Sequence, residues 1–132
     1  MRSHLEFRSP DLFDGQPDAD TPKGEAVARL LAEQLPNRGF HVEHIKPEDW
    51  GWRVQVSHDA FPLWIGCGHY EEYPDGHLCF IEPSKPYVRR WLKRVATAQI
   101  VEQLAAALEQ VIRDSDRAYD LRWWTTTEVE RG

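Results

Sequence analysis

The sequence predicts an α+β fold: a two-layer sandwich in which one antiparallel sheet of four to six strands is covered on one face by two helices. Three observations carry this. Residues 40–83 hold successive apolar–polar alternations divided by short turn signals, the pattern of a sheet with one dry face. Apolar residues recur at helical spacing before that stretch, at Val27, Leu30, Leu31 and Leu35. They recur again after it, at Ile100, Val101, Leu104, Leu108, Val111 and Ile112. Helices that bracket a central meander disfavour a parallel, doubly wound topology.

Each element has its own signal. Leu5 and Phe7 alternate with Glu6 and Arg8, which reads as a short edge strand over 5–8. Residues 10–21 combine Pro, Gly and four Asp, an acidic loop. It lacks the aspartate order and the distal Glu of a calcium-binding loop, so it reads as solvated. Thr21 and Pro22 suit a cap and a first helical turn, and Pro36-Asn37-Arg38-Gly39 is a stop, so a helix is expected over 22–35. Four strands follow. Phe40 and Val42 share one side of the first, and a turn comes at 47–49. Trp52, Val54 and Val56 then face the core while Arg53, Gln55 and Ser57 face water. After a turn at 58–60, the third strand spans 62–70 with Leu63, Ile65 and Cys67 on one face. Pro-Asp-Gly marks a hairpin loop over 71–76, and residues 77–82 return. Gly66 and Gly68 fall opposite Cys67, which signals a bulge or a group packed closely on the backbone. Val88, Trp91, Leu92 and Val95 suit a helical turn or two over 87–94. Thr97 is placed to cap the second long helix, which ends near Asp114, and residues 119–124 read as a last strand or packed extended tail.

The chain has 132 residues, the size of one domain spanning 1–132. Its net charge of −6 disfavours nucleic acid as a partner. No apolar run approaches the roughly 18 residues that cross a bilayer, and the first residues hold no apolar signal core, so no membrane role and a cytoplasmic location are expected. Two cysteines fit a reducing compartment. The common nucleotide and hydrolase signatures are absent, and no catalytic residue or cofactor is assigned.

Three groups of residues carry functional readings. Cys67, His69, His77 and Cys79 flank the hairpin loop as mirror images. If His69 opposes His77, Cys67 opposes Cys79, and all four share one face, a legitimate zinc or redox set. The plainer alternative is two small buried cysteines and two histidines at the wet end of a hairpin. Lys85, Arg89, Arg90, Lys93 and Arg94 surround Tyr87 and Trp91. On a helix Arg90, Lys93 and Arg94 share a face, which reads as an anion site or a small hydrolytic centre with a nearby His, against the alternative of a solvated face. Trp64 and Tyr70 fall opposite the core-facing residues of their strand, and one of Trp123 and Trp124 must also face out. Exposed indole and phenol rings on a flat sheet have the composition of a protein-binding hot spot.

The expectation is therefore a non-enzymatic protein-binding module, acting as an inhibitor, an immunity-type protein or a chaperone-like adaptor, or by self-association. Small acidic α+β proteins suit several such bacterial-style roles. Trp64, Tyr70 and Trp124 form its partner-binding surface, rimmed by Glu71, Glu72 and Asp75. An acidic inhibitor of a basic enzyme gains from electrostatic steering. The metal or redox module and the anion-binding or hydrolytic reading stand as alternatives.

Overall fold

A computed structural model describes residues 1–12 and 21–131. Most of the predicted acidic loop lies outside these residues. The element order is β1 (Arg2–Arg8), α1 (Glu25–Gln34), a 3₁₀ turn (Leu35–Arg38), β2 (Val42–Glu48), β3 (Gly51–Val56), β4 (Leu63–His69), β5 (Gly76–Glu82), β6 (Tyr87–Arg90), β7 (Lys93–Ala96), α2 (Ala98–Asp114), β8 (Tyr119–Thr125) and α3 (Thr126–Arg131). Six strands form one antiparallel sheet in the order β2-β3-β4-β5-β1-β8, and β6 with β7 forms a separate ribbon.

The meander β2–β5 follows from its alternation. Trp52, Val54 and Val56 of β3, Leu63, Ile65 and Cys67 of β4, and Cys79 and Ile81 of β5 are all buried in one cluster. α1 covers β2–β4 through Val27, Ala28 and Leu31, and α2 covers β1 and β5 through Val101, Leu104, Leu108, Val111 and Ile112. Both helices therefore lie on one face, as the sequence predicts. Each fully buried Leu, Ile or Val contributes about 1.5–3 kcal/mol relative to exposure. A salt bridge from Arg38 to Asp114 joins the end of the 3₁₀ turn to the end of α2.

Three sequence expectations need correction. The N-terminal strand is seven residues long and interior, with β5 on one side and β8 on the other. Leu5 and Phe7 are fully packed beneath α2. Alternation gives a strand its faces but says nothing about its neighbours.

The first helix begins at Glu25 rather than Pro22, after Gly24 at φ 117°. A Cβ on Gly24 would lie 2.2 Å from the Cys67 carbonyl oxygen, so the chain crosses β4 too closely for any side chain there. The preceding carbonyl of Pro22 accepts a 3.0 Å hydrogen bond from Trp52 Nε1.

The expected helical turns over 87–94 are instead a β-hairpin. Val88 and Val95 pair across it and pack against the core, while Trp91 and Leu92 make the two-residue turn. Spacing of three and four between apolar residues is the helical pattern; here a two-residue turn instead sets Val88 opposite Val95. Thr97 does precede α2, but its hydroxyl donates to the Lys85 carbonyl rather than capping the helix.

Candidate functional site on the uncovered sheet face

The face of the sheet away from the helices is built by residues that alternate with the core. The strand registers set Arg53 opposite Gly66, Gly66 opposite Phe80, Phe80 opposite His4 and His4 opposite Trp124. One row thus runs across five strands. The phenyl ring of Phe80 lies flat over Gly66, and a Cβ at that glycine would fall 2.2 Å from Phe80 Cζ. The close packing that glycine signals in this strand is therefore a neighbouring aromatic ring.

Around Phe80 the rings are continuous. Trp64 meets it edge-on with centroids 5.5 Å apart, Trp50 lies at 5.1 Å, and His4 stacks at 5.6 Å. Trp50 also sits 5.8 Å from Trp64 and is 45% exposed. Arg53 lies 4.1 Å over the Trp64 ring, and Arg122 lies 3.6 Å over Trp124. Trp64, Phe80 and Trp124 are each half-buried. Burial holds the His4 imidazole below its ordinary pKa, and burial raises that of the Glu82 carboxyl, opposite Trp64.

Beside this row, a cleft of about 460 Å³ opens between the 70–75 hairpin loop and β8. Tyr70, Glu72, Glu6, Asp120, Arg122 and Trp124 are among its walls. Trp124 Nε1 donates to Glu6 at 2.7 Å, and the Tyr70 hydroxyl donates to Glu72 at 2.8 Å. The bond to Glu72 comes first in pushing the Tyr70 pKa up to about 12; desolvation and the charge on Glu6 add to it. Both acceptors are held by aromatic donors at the cleft wall.

The sequence-selected residues divide accordingly. Tyr70, Glu72 and Trp124 meet in the cleft, and Trp64 lies on the adjoining aromatic row. Trp123 turns to the helix face, where its Nε1 donates to Glu109 at 2.7 Å. Glu71 is exposed on the hairpin loop. Asp75 is not a free rim charge. It accepts from Tyr119 at 2.6 Å and from Arg8 Nε at 2.9 Å, and these bonds, Tyr119 first, lower its pKa. Arg8 in turn lies 4.2 Å over Tyr73. Sequence reasoning missed Trp50, Phe80, His4, Glu6, Asp120 and Arg122. Alternation set Glu6 opposite Leu5 and Phe7, but only the position of β1 between β5 and β8 brings it to Trp124.

The Cys/His group takes the convergent register, His69 opposite His77 and Cys67 opposite Cys79. The two thiols are buried, 4.0 Å apart and not joined in a disulfide. His69 Nδ1 lies 2.9 Å from the Gly76 carbonyl, and His77 Nε2 lies 3.0 Å from that of Ser9 while its ring stacks on Phe7. These imidazole nitrogens are engaged by main-chain carbonyls. Among the described residues no group of three or more His, Cys, Asp or Glu is arranged to hold a metal ion.

The basic segment departs from its expected helical face. Arg90 pairs with Lys93 and Arg89 with Arg94 across the ribbon, so Arg90, Lys93 and Arg94 are placed by strand register. Arg90 donates to the Asp59 carbonyl at 3.0 Å. No family model, no curated protein and no solved structure matches this chain.

Proposed function

We propose that this chain is a non-enzymatic protein-binding module that engages its partner through the uncovered face of the sheet. The observation that carries the reading is the unbroken row from Arg53 through Phe80 and His4 to Trp124, flanked by Trp50 and Trp64. Rigid half-exposed indoles with stacked arginines are the groups that dominate binding energy at protein interfaces. Glu72 and Asp120 beside that row, on a chain of net charge −6, favour a basic partner and fit an inhibitor or immunity-type role. Buried thiols at Cys67 and Cys79 that form no disulfide accord with a reducing compartment such as the cytoplasm.

The test is site-specific photocrosslinking from position 70, followed by affinity measurement with the purified partner. Trp64→Ala and Trp124→Ala should each weaken the complex by about 2 kcal/mol or more, roughly thirtyfold, and added salt should slow association. Unchanged affinity in both variants would rule out this face. Sedimentation of the isolated chain separates a foreign partner from a second copy.

A further inference from the structure

The β6–β7 ribbon lies outside the six-stranded sheet. Residues 85–96 carry Lys85, Arg89, Arg90, Lys93 and Arg94 and no carboxylate. Arg89 stands opposite Arg94 and Arg90 opposite Lys93, and like charges facing each other across strands destabilise the pairing. Among the described residues none of these five cations forms an ion pair with a carboxylate. Arg94 lies instead 3.9 Å over the Tyr87 ring.

At the tip, Trp91 and Leu92 are 91% and 85% exposed, far more than any other large apolar residue described. Trp91 adopts φ 61° at the first position of the two-residue turn, where glycine is the usual occupant. A tryptophan there is strained, and at that exposure it recovers almost nothing by packing within its own chain.

We propose that this hairpin docks on an anionic lipid bilayer, with Trp91 and Leu92 entering the interface and the flanking cations meeting headgroup phosphates. Tryptophan is favoured at the membrane–water boundary. Strands rise about 3.3 Å per residue, so Arg90 and Lys93 lie about 3 Å behind the apolar pair and Arg89 and Arg94 about 7 Å behind. Interfacial elements bury their apolar side about 5–10 Å deep, so the guanidinium groups stand at phosphate level when the tip is inserted. The net charge of −6 includes these five cations, so the rest of the chain carries −11 and is repelled by the same surface. That repulsion orients the molecule hairpin-first. The contact is peripheral: among the described residues no helix is long and apolar enough to cross a membrane.

The test mixes the full chain with phosphatidylcholine vesicles, with and without phosphatidylglycerol. Cosedimentation should require the anionic lipid and fall as salt rises. Trp91→Ala combined with Leu92→Ala should lower partitioning at least about tenfold. Arg89→Glu combined with Lys93→Glu should lower it by at least about fivefold per residue. These side chains are exposed or face outward, and far-UV circular dichroism verifies that each variant folds. Brominated lipid should quench a fluorescence component that Trp91→Phe removes. The proposal is overturned by absence of sedimentation at low salt, by equal binding to neutral vesicles, or by binding that ignores the tip pair. It is equally overturned if the hairpin captures inorganic phosphate, an oligonucleotide or an acidic protein but not vesicles.

Discussion

Gly66 and Phe80 offer a direct test of how the aromatic row is built. A Cβ at Gly66 would lie 2.2, 2.4 and 2.8 Å from three atoms of the Phe80 ring. The ring has little room to yield, because Trp50, Trp64 and His4 surround it at 5.1–5.6 Å. Overpacking of this kind costs about 1–3 kcal/mol. Gly66 has no positive φ, so an alanine suits its backbone and by itself gains about 0.4–1 kcal/mol by restricting the unfolded chain. Gly66→Ala should therefore destabilise the protein by about 1–2 kcal/mol. In a Phe80→Ala background the same change should be neutral or stabilising, giving a coupling of about 1–3 kcal/mol. Urea unfolding followed by far-UV circular dichroism for all four members of the cycle measures this. If Gly66→Ala has the same effect in both backgrounds to within about 0.5 kcal/mol, the ring does not rest on the glycine and the account of the row is wrong.

Gly24→Ala meets a rigid main-chain carbonyl in place of a ring, in addition to φ 117°, and should cost more, about 2–4 kcal/mol in the same assay. Asp75 has its pKa lowered by Tyr119 first and Arg8 next, so its stabilisation is present above the unfolded carboxyl value of about 4 and is lost as pH falls through the folded value. Asp75→Asn should accordingly flatten the loss of stability seen on acidification below about pH 4, measured as urea midpoints against pH. The Tyr70 phenol, held near 12 by Glu72, should ionise last in a spectrophotometric titration, and Glu72→Ala should bring it back toward about 10. Cys67 and Cys79 are buried, so thiol reagents should label them only as fast as the chain opens, and rapid labelling of the native protein would contradict their place in the core.

Which parts were legible in the sequence follows from the range of the forces involved. The period of two in Trp52, Val54 and Val56, and of 3.6 in α2, is set by backbone geometry, so faces and element types could be read without neighbours. For the same reason Trp64 and Tyr70 could be read as facing away from the core, whereas which of Trp123 and Trp124 joins them is decided by the structure, which turns Trp124 there. The ribbon at residues 87–96 escaped because its apolar spacing follows the helical period, whereas the contact that forms is the pairing of Val88 with Val95 across a turn.

Asp75 escaped for a different reason. Its partners Arg8 and Tyr119 lie 67 and 44 residues away, and a charge looks free until the chain closes. The sequence by itself determined an antiparallel sheet with one dry face and two helices over it. Tertiary structure alone decided that β1 enters between β5 and β8, and this one insertion sets His4 and Glu6 against Phe80 and Trp124. Alternation along a strand encodes which side each residue faces, whereas the order of strands depends on contacts between segments a hundred residues apart, which no local period records.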